Sequence, residues 1–127
     1  MRLWSPKVWC KGGAAAWIEL TGTDEEFSSV INLVDGGYEA AHVKVDVDFD
    51  DATPVANVEI AFYSSLDGSG FDTIPFSKVT LDNGIDPSDL SWDISGYAYF
   101  KIGYKQTAAD TDNGVRTSYR NWKDVSS

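Results

Sequence analysis

The sequence predicts an all-β protein, namely an antiparallel β-sandwich or jelly roll of about eight strands. Three observations support this prediction: polar and apolar residues alternate with a period of two, helical periodicity is nearly absent, and turn residues recur at the spacing expected of a sandwich. The chain has 127 residues and no Pro/Gly/Ser-rich linker, which predicts one domain. We assign residues 14–127 to this domain and residues 1–13 to a basic, tryptophan-containing N-terminal arm.

The alternation is clearest in the segment AHVKVDVDFD. Val43, Val45 and Val47 fall on one face of the predicted strand. A lysine and several aspartates fall on the other face, which is typical of a half-buried antiparallel strand. VANVEIAFYS, YAYFKIGYKQT and VRTSYRNWK alternate in the same way, and AAAWIEL and LSWDIS supply further strands. In FDTIPFSKVTL, Pro75 predicts an edge strand or a bulge because proline cannot donate to a sheet ladder.

The segment TDEEFSSVINLV begins as a capped helix does, with Thr23 or Asp24 ahead of Glu26. Its apolar residues are mostly β-branched, however, and Gly36-Gly37 follows at once. These features favour a strand that ends in a tight turn over a helix.

The Asp-Gly-Ser-Gly stretch raises the question of a calcium loop. An EF-hand-type loop with Asp67 at its third position has Ser69 at the fifth and Gly70 at the sixth. Its first position is then Ser65 and its twelfth is Phe76, so both strong outer ligands are missing. We therefore predict a hairpin turn, in which the glycines supply positive φ angles, and no metal site.

Two acidic stretches are further candidates for a cation site. The first contains Asp46, Asp48, Asp50 and Asp51, and alternate carboxylates on one strand lie about 7 Å apart. One ion cannot bridge that spacing without a second strand, so we favour a solvated face that blocks edge pairing. The second stretch, residues 110–114 (DTDNG), is explained more simply by an Asn-Gly hairpin turn.

The sequence offers little catalytic chemistry. His42 is the only histidine and Cys10 the only cysteine, so an internal disulfide is excluded. These two residues could pair as base and nucleophile, but no oxyanion loop or third partner is apparent. Two of the many acids could also converge as a hydrolytic pair, although no motif singles out such a pair. We predict no enzyme, no catalytic residue and no cofactor, since P-loop, dinucleotide and zinc motifs are absent from the sequence.

The net charge of −10 is unevenly distributed. Acids concentrate in the middle of the chain, whereas arginine and lysine concentrate near both ends. An acidic body repels nucleic acid and anionic membranes, so we predict neither as a partner. The basic ends either meet an acidic surface, such as that of a neighbouring copy, or offset strand acids within the monomer. We also expect no signal peptide and no membrane helix, because no apolar run is long enough.

Two of the five tryptophans lie in the proline-containing basic arm, where no alternation would bury them. Exposed tryptophan beside arginine and lysine is typical of a docking anchor. We therefore predict that Arg2, Trp4, Lys7 and Trp9 dock onto another subunit. The alternative is an N-terminal strand that folds back over its own core.

Two longer segments, VEIAFYSSLDGSGFDTIPFSKVTL and SGYAYFKIGYKQTAADTDNGVRTSYRNW, contain a strand, an SLDG hairpin, an aromatic strand and a last strand after an Asp-rich turn. This order, over about residues 55–122, resembles small β-sandwich virion proteins of tailed bacteriophages. The resemblance implies a capsid decoration (cement) protein or a head or tail accessory protein, with no catalytic residues to carry over.

The leading hypothesis is therefore a phage virion structural protein, assembled in the host cytoplasm, that decorates the capsid shell in many copies. Its expected partners are the major capsid protein or other virion subunits, and it is expected to be a homo-oligomer in the particle. The alternative is a tail- or fibre-associated glycan-binding module, because sandwiches bind sugars through exposed aromatics. Trp92, Tyr97 and Tyr99 lie close together in sequence and are the candidate glycan contacts.

Overall fold

A computed structural model describes residues 1–49, 56–83, 88–108 and 113–125. These residues form eleven strands in two antiparallel sheets, and within these ranges no helix is long and apolar enough to cross a membrane. The strands are β1 (Arg2–Trp4), β2 (Val8–Lys11), β3 (Ile18–Glu19), β4 (Glu26–Phe27), β5 (Ile31–Asn32), β6 (Ala40–Asp48), β7 (Val58–Ser65), β8 (Ser77–Leu81), β9 (Asp89–Ser95), β10 (Tyr99–Gln106) and β11 (Gly114–Asp124).

The eleven strands occupy eight positions, four in each sheet. In sheet I, β1, β2 and β3 share one edge position beside β11, and β6 and β9 follow. In sheet II, β4 and β5 share the edge beside β10, and β7 and β8 follow. The chain passes from one sheet to the other in the order of a jelly roll, which confirms the predicted fold class. The predicted number of about eight strands is wrong as a count, because the first two edge positions are each broken into short pieces.

Local chemistry explains where the first edge position is broken. Pro6 separates β1 from β2, and it has no N–H to give to β11. Ser5 replaces the lost ladder contact: its backbone N donates to Asn121 O and its Oγ accepts from Asn121 N, both at 2.8 Å. Gly12 then turns the chain between β2 and β3 with a φ of 65°, and a Cβ there would overlap the Ala16 carbonyl oxygen.

The segment between residues 23 and 34 forms strands β4 and β5, so the strand prediction is confirmed over the helical one. Ser28 lies between the two strands and stays attached to β10. Its backbone N donates to Ile102 O at 2.9 Å, and its Oγ accepts from Ile102 N at 3.0 Å. Ser29 N donates to Cys10 O at 2.8 Å, which links this edge of sheet II to the edge of sheet I.

The core lies between the two sheets and follows the predicted alternation. Phe62 and Phe100 from sheet II are fully buried and their ring centroids lie 6.3 Å apart. The buried side chains that alternate along the long strands are Val43, Val45, Val47, Val58, Ile60, Phe62, Phe100, Ile102, Tyr104 and Val115. Burial of these apolar side chains provides the main driving force for folding.

Residues 1–13 do not form a free arm. β1 and β2 pair with β11, and Cys10 of β2 is only 6% exposed within the core. The alternative interpretation, an N-terminal strand that folds back over its own core, therefore describes this segment. Removing residues 1–11 would expose one edge of β11 and part of the core, so the segment cannot be treated as a detachable tail.

One buried polar contact joins the two sheets. Tyr104 of β10 is fully buried, and its hydroxyl shares a hydrogen bond with Oγ1 of Thr117 on β11. Burial raises the pKa of Tyr104 well above its ordinary value, so the phenol stays protonated. Since neither hydroxyl reaches bulk water, each depends on the other for its hydrogen bond.

Buried amides fix the loops at the other end of β10. Gln106 is 1% exposed, and its Nε2 donates to Leu20 O at 3.1 Å and to Gly22 O at 2.9 Å. Its Oε1 accepts from Asn113 Nδ2 at 3.2 Å. These bonds attach two segments to β10: the chain that follows β3 and the residue that precedes β11. No sequence pattern predicted these contacts.

Tyr104→Phe should lower the free energy of unfolding by about 1–3 kcal/mol, because the Thr117 hydroxyl loses its partner inside the core. Adding Thr117→Val should recover part of the loss, since both polar groups are then replaced by apolar ones. Chemical denaturation of the two single variants and the double variant measures this coupling. A Tyr104→Phe variant as stable as the wild type would show that the contact does not hold the sheets together.

Candidate functional site

The outer face of sheet I carries the most unusual chemistry in the molecule. Along β11, Val115 and Thr117 are buried in the core, so the alternating residues Arg116, Arg120 and Trp122 lie on the outer face. Tryptophans from the N-terminal segments lie beside them. We call this surface the Trp/Arg face, and it comprises Arg2, Trp4, Lys7, Trp9, Trp17, Arg116, Arg120 and Trp122.

At one end of the Trp/Arg face, guanidinium groups and indole rings alternate. Arg2 Cζ lies 3.7 Å from the ring centroid of Trp122 and 5.8 Å from that of Trp4. Arg120 Cζ lies 5.4 Å from the Trp4 centroid. The Trp4 and Trp122 rings are 6.4 Å apart, because the two residues are register partners across β1 and β11. These distances are within the range of cation–π attraction.

The other end repeats the arrangement. Arg116 Cζ lies 4.2 Å from the ring centroid of Trp17 and 5.7 Å from that of Trp9. Lys7 Nζ lies 4.9 Å from the Trp9 centroid. Each exposed contact of this kind contributes only about 0.5–1 kcal/mol, but together they hold the side chains in defined positions.

The face is partly open to solvent and only partly neutralised. Trp4 and Trp17 remain 37% and 38% exposed, which is high for the largest apolar side chain. Arg116 Nε lies 3.1 Å from Asp46 Oδ2, so this arginine offsets a strand acid within the monomer. Arg2 and Arg120 form no ion pair with any acid in the part of the chain that the structure describes. Arg116 therefore fits the hypothesis of charge offset within the monomer, whereas contact of the basic residues with an acidic surface stays a prediction.

The four predicted docking residues, Arg2, Trp4, Lys7 and Trp9, all lie on this face. The predicted docking residues did not include the other members of the face, which are Trp17, Arg116, Arg120 and Trp122. A signal for two of them was present, since the alternation in VRTSYRNWK puts Arg116 and Arg120 on the polar side of β11. Nothing in the sequence indicated that β11 would pair with the N-terminal segment.

A cleft of about 380 Å³ adjoins the Trp17 end of the face. It is lined by Trp17, Lys44, Asp46, Val47, Asp48, Ser88, Asp89 and Arg116. It therefore combines an indole ring with carboxylates and two cations.

The predicted glycan contacts do not form one surface. Trp92 packs on the core, with its ring centroid 5.1 Å from that of Phe62. Tyr97 also packs on the core and stacks on Phe76 at 3.9 Å. Tyr99 instead lies at the start of β10, beside the turn at Gly68. Trp92 and Tyr97 therefore belong to one aromatic cluster around Phe62 and Phe76, whose ring centroids lie 6.0 Å apart. Tyr99 precedes the buried Phe100 and lies on the outer face of sheet II, so the predicted shared surface of three aromatics does not form.

The Asp-Gly-Ser-Gly stretch is organised by Asp67. Its Oδ1 accepts from the backbone N of Ser69 and of Gly70 at 2.9 Å each, and from Ser65 Oγ at 3.0 Å. The donors from Gly70, Ser69 and Ser65 lower the pKa of Asp67 to about 2. Gly68 has the positive φ expected of the turn, 84°. The carboxylate thus stabilises a loop between β7 and β8.

The other candidate metal and catalytic groups are dispersed. Asp46 pairs with Arg116, whereas Asp50, Asp51 and the acids of DTDNG lie outside the described residues. Across the described ranges, no group of three or more His, Cys, Asp or Glu side chains could hold a metal. Cys10 is buried, which raises the pKa of its thiol to about 12. His42 lies on the outer face, with Nδ1 2.9 Å from Asp93 Oδ1, so the candidate Cys–His pair is not brought together.

The outer face of sheet II differs from the Trp/Arg face. Its acids are engaged locally: Tyr63 OH donates to both oxygens of Glu25, at 2.8 and 3.0 Å. Burial and this hydrogen bond raise the pKa of Tyr63 to about 12. Phe27 is 40% exposed, nearly the same as Trp4, and Lys101 Nζ lies 3.9 Å from its ring centroid. It therefore offers a matched control for the tryptophans of sheet I.

Comparison with known proteins establishes the fold and nothing further. No family model matches this chain, and no curated protein matches it. The crystal structure of the Yersinia pseudotuberculosis-derived mitogen is similar, with a TM-score of 0.50 and 9% sequence identity. The similarity covers 100% of this chain and 92% of that chain. At this identity it shows a shared fold alone, which hosts unrelated functions.

Proposed function

We propose that this chain is a structural protein of a phage virion, most specifically a capsid decoration protein that docks on the shell through the Trp/Arg face. The observation that carries the proposal is the presence of Trp4, Trp9 and Trp17 on one face, beside three arginines. Of these arginines, Arg2 and Arg120 form no ion pair with a described acid, and Arg116 forms one. The partner is the major capsid protein or another virion subunit.

Tryptophan and arginine are among the residues most enriched at interface hot spots, the few positions that contribute most of the binding energy. Both bury a large area and still make polar contacts. Trp4 and Trp17 keep more than a third of their surface exposed in the isolated chain. Covering that surface on a partner adds apolar burial without any change in the fold.

Charge supports the same orientation. The protein carries a net charge of −10, yet the Trp/Arg face contributes several cations to one region of its surface. A molecule with this asymmetry approaches an acidic shell with that face first. The charge asymmetry therefore raises the rate of correct docking more than it raises the affinity. The resemblance of residues 55–122 to phage virion proteins and the jelly-roll topology, which occurs in viral capsid proteins, also favour this function.

A second candidate is a glycan-binding module of a tail or fibre, favoured by the cleft beside Trp17. Sugars are bound by stacking on an aromatic ring and by hydrogen bonds to charged side chains. The cleft supplies Trp17 for the first and Asp46, Asp89 and Lys44 for the second. This role would use a different surface from the three aromatics that the sequence suggested.

Trp4→Ala combined with Trp9→Ala should remove most of the protein from purified phage particles, because both docking anchors are lost. The measurement is copy number per particle by quantitative mass spectrometry, with circular dichroism to verify the fold. Phe27→Ala is the matched control and should leave occupancy unchanged. Full occupancy of the double variant, or equal loss in the Phe27→Ala control, would contradict docking through this face.

For the glycan candidate, a glycan array should give hits with the wild-type protein that disappear in Trp17→Ala, because the stacking ring is removed. Tyr99→Ala should keep the same hits, since Tyr99 lies on the other sheet. An array with no hits for the wild type removes this candidate and leaves the docking proposal untouched.

A further inference from the structure

A small pocket lies within the Trp/Arg face, over the pairing of β11 with β2 and β6. Its volume is about 210 Å³. The residues that line it are Lys7, His42, Lys44, Ser118, Tyr119 and Arg120. Three of these six are cations at neutral pH, in a protein whose net charge is −10.

The pocket offers hydrogen-bond donors that no part of the described chain uses. Ser118 is 5% exposed and lines the pocket, yet its hydroxyl has no partner among the residues that the structure describes. Arg120 donates its Nε to Ser5 O at 3.0 Å, which fixes the guanidinium and leaves its terminal nitrogens without an acceptor within the described residues. These unpaired donors line the pocket, so they are available to a ligand that accepts hydrogen bonds.

The acids around the pocket contact only Lys44 and His42, on the side of the pocket formed by β6. Lys44 Nζ lies 3.9 Å from Asp46 Oδ1 and 3.8 Å from Asp89 Oδ2, at the long end of the ion-pair range. Asp93 Oδ1 contacts His42 Nδ1 at 2.9 Å. Lys7 and Arg120 form no ion pair in the described part of the chain, so the side of the pocket nearest β2 keeps an excess of positive charge.

We propose that this pocket binds one carboxylate side chain, presented by an acidic partner protein, between Lys7, Arg120 and the Ser118 hydroxyl. The inference rests on the proposed docking function and identifies the chemistry of the surface that the Trp/Arg face meets. Around this contact, the exposed tryptophans pack against apolar surface of the partner. The carboxylate fixes the position of the partner relative to the face. Charge-assisted hydrogen bonds from arginine to carboxylate suit that role, because they are short and directional.

A carboxylate fits better than a nucleic acid phosphate chain. The volume of the pocket, about 210 Å³, suits one small anionic group, whereas an extended polyanion would run along the face towards Asp46, Asp89 and Asp93. The net charge of −10 adds a long-range repulsion that only a short local contact escapes.

The test uses the whole protein and a probe with a single side-chain carboxylate, the capped tripeptide acetyl-Gly-Glu-Gly-amide. In a two-dimensional NMR titration, the amide signals of Lys7, Ser118, Tyr119 and Arg120 should shift and saturate. The neutral peptide acetyl-Gly-Gln-Gly-amide should leave them in place. Equal shifts with the neutral peptide, or shifts spread over both sheets, overturn the proposal.

Variants separate a specific site from general charge. Arg120→Gln should weaken the glutamate peptide about tenfold, the size expected when one charge-assisted hydrogen bond is lost. Ser118→Ala and Lys7→Gln should weaken it severalfold, and both keep the Arg120–Trp4 contact. Lys105→Gln is the matched control, because Lys105 is an exposed lysine on the outer face of sheet II. A loss in Lys105→Gln equal to that in Lys7→Gln overturns the proposal, as does tighter binding of a DNA oligomer than of the peptide.

The same variants distinguish failure of the pocket from failure of the docking function. If the peptide does not bind but Trp4→Ala with Trp9→Ala empties the particles, the pocket proposal fails and docking through the face stands. If the peptide binds at the pocket but Arg120→Gln and the tryptophan variants keep full occupancy, the carboxylate site stands and the docking function fails.

Discussion

The pairing of β11 on both of its edges is the constraint on which the rest of the structure depends. On one edge it pairs with β6 over nine residue pairs, and on the other it pairs in turn with β1, β2 and β3. Its inward-facing residue Thr117 shares a hydrogen bond with Tyr104 in the opposite sheet. Its outward-facing residues lie along the middle of the Trp/Arg face. One strand therefore joins the N-terminal segment, the core and the candidate docking surface.

This arrangement explains how a surface rich in long side chains can be ready to bind. Arginine, lysine and tryptophan lose rotamer freedom when a partner immobilises them, which normally weakens binding. Here Arg2, Arg116 and Arg120 already lie against indole rings, and Arg116 and Arg120 also donate to backbone carbonyls at 2.7 and 3.0 Å. Much of this rotamer freedom is therefore already lost on folding. The exposed area of Trp4 and Trp17 remains available for burial against the partner.

The sequence predicted the fold where local patterns determine it. Alternation in β6, β7, β10 and β11 identified the buried faces correctly, because each strand lies between a core and a solvated or polar surface. It failed where a long-range contact decides. The N-terminal segment was expected to be an arm, since Pro6 and short pieces of strand conceal its pairing with a strand more than 100 residues away. Trp92 was expected at a surface, although its register partner Val43 faces the core. Of the site, Arg2, Trp4, Lys7 and Trp9 were predictable from composition, whereas Arg120 and Ser118 became relevant only once β2 and β11 were adjacent.

Docking through the Trp/Arg face is tested most directly by hydroxyl-radical footprinting of the protein on the particle and free in solution, read residue by residue by mass spectrometry. If the Trp/Arg face docks on the shell, oxidation of Trp4, Trp9 and Trp17 should slow strongly on the particle. Phe27 and Tyr63 on sheet II should oxidise at the same rate in both states. Protection of Phe27 and Tyr63 with no protection of the tryptophans would contradict docking through the Trp/Arg face, because the opposite face of the sandwich would then be the one that docks.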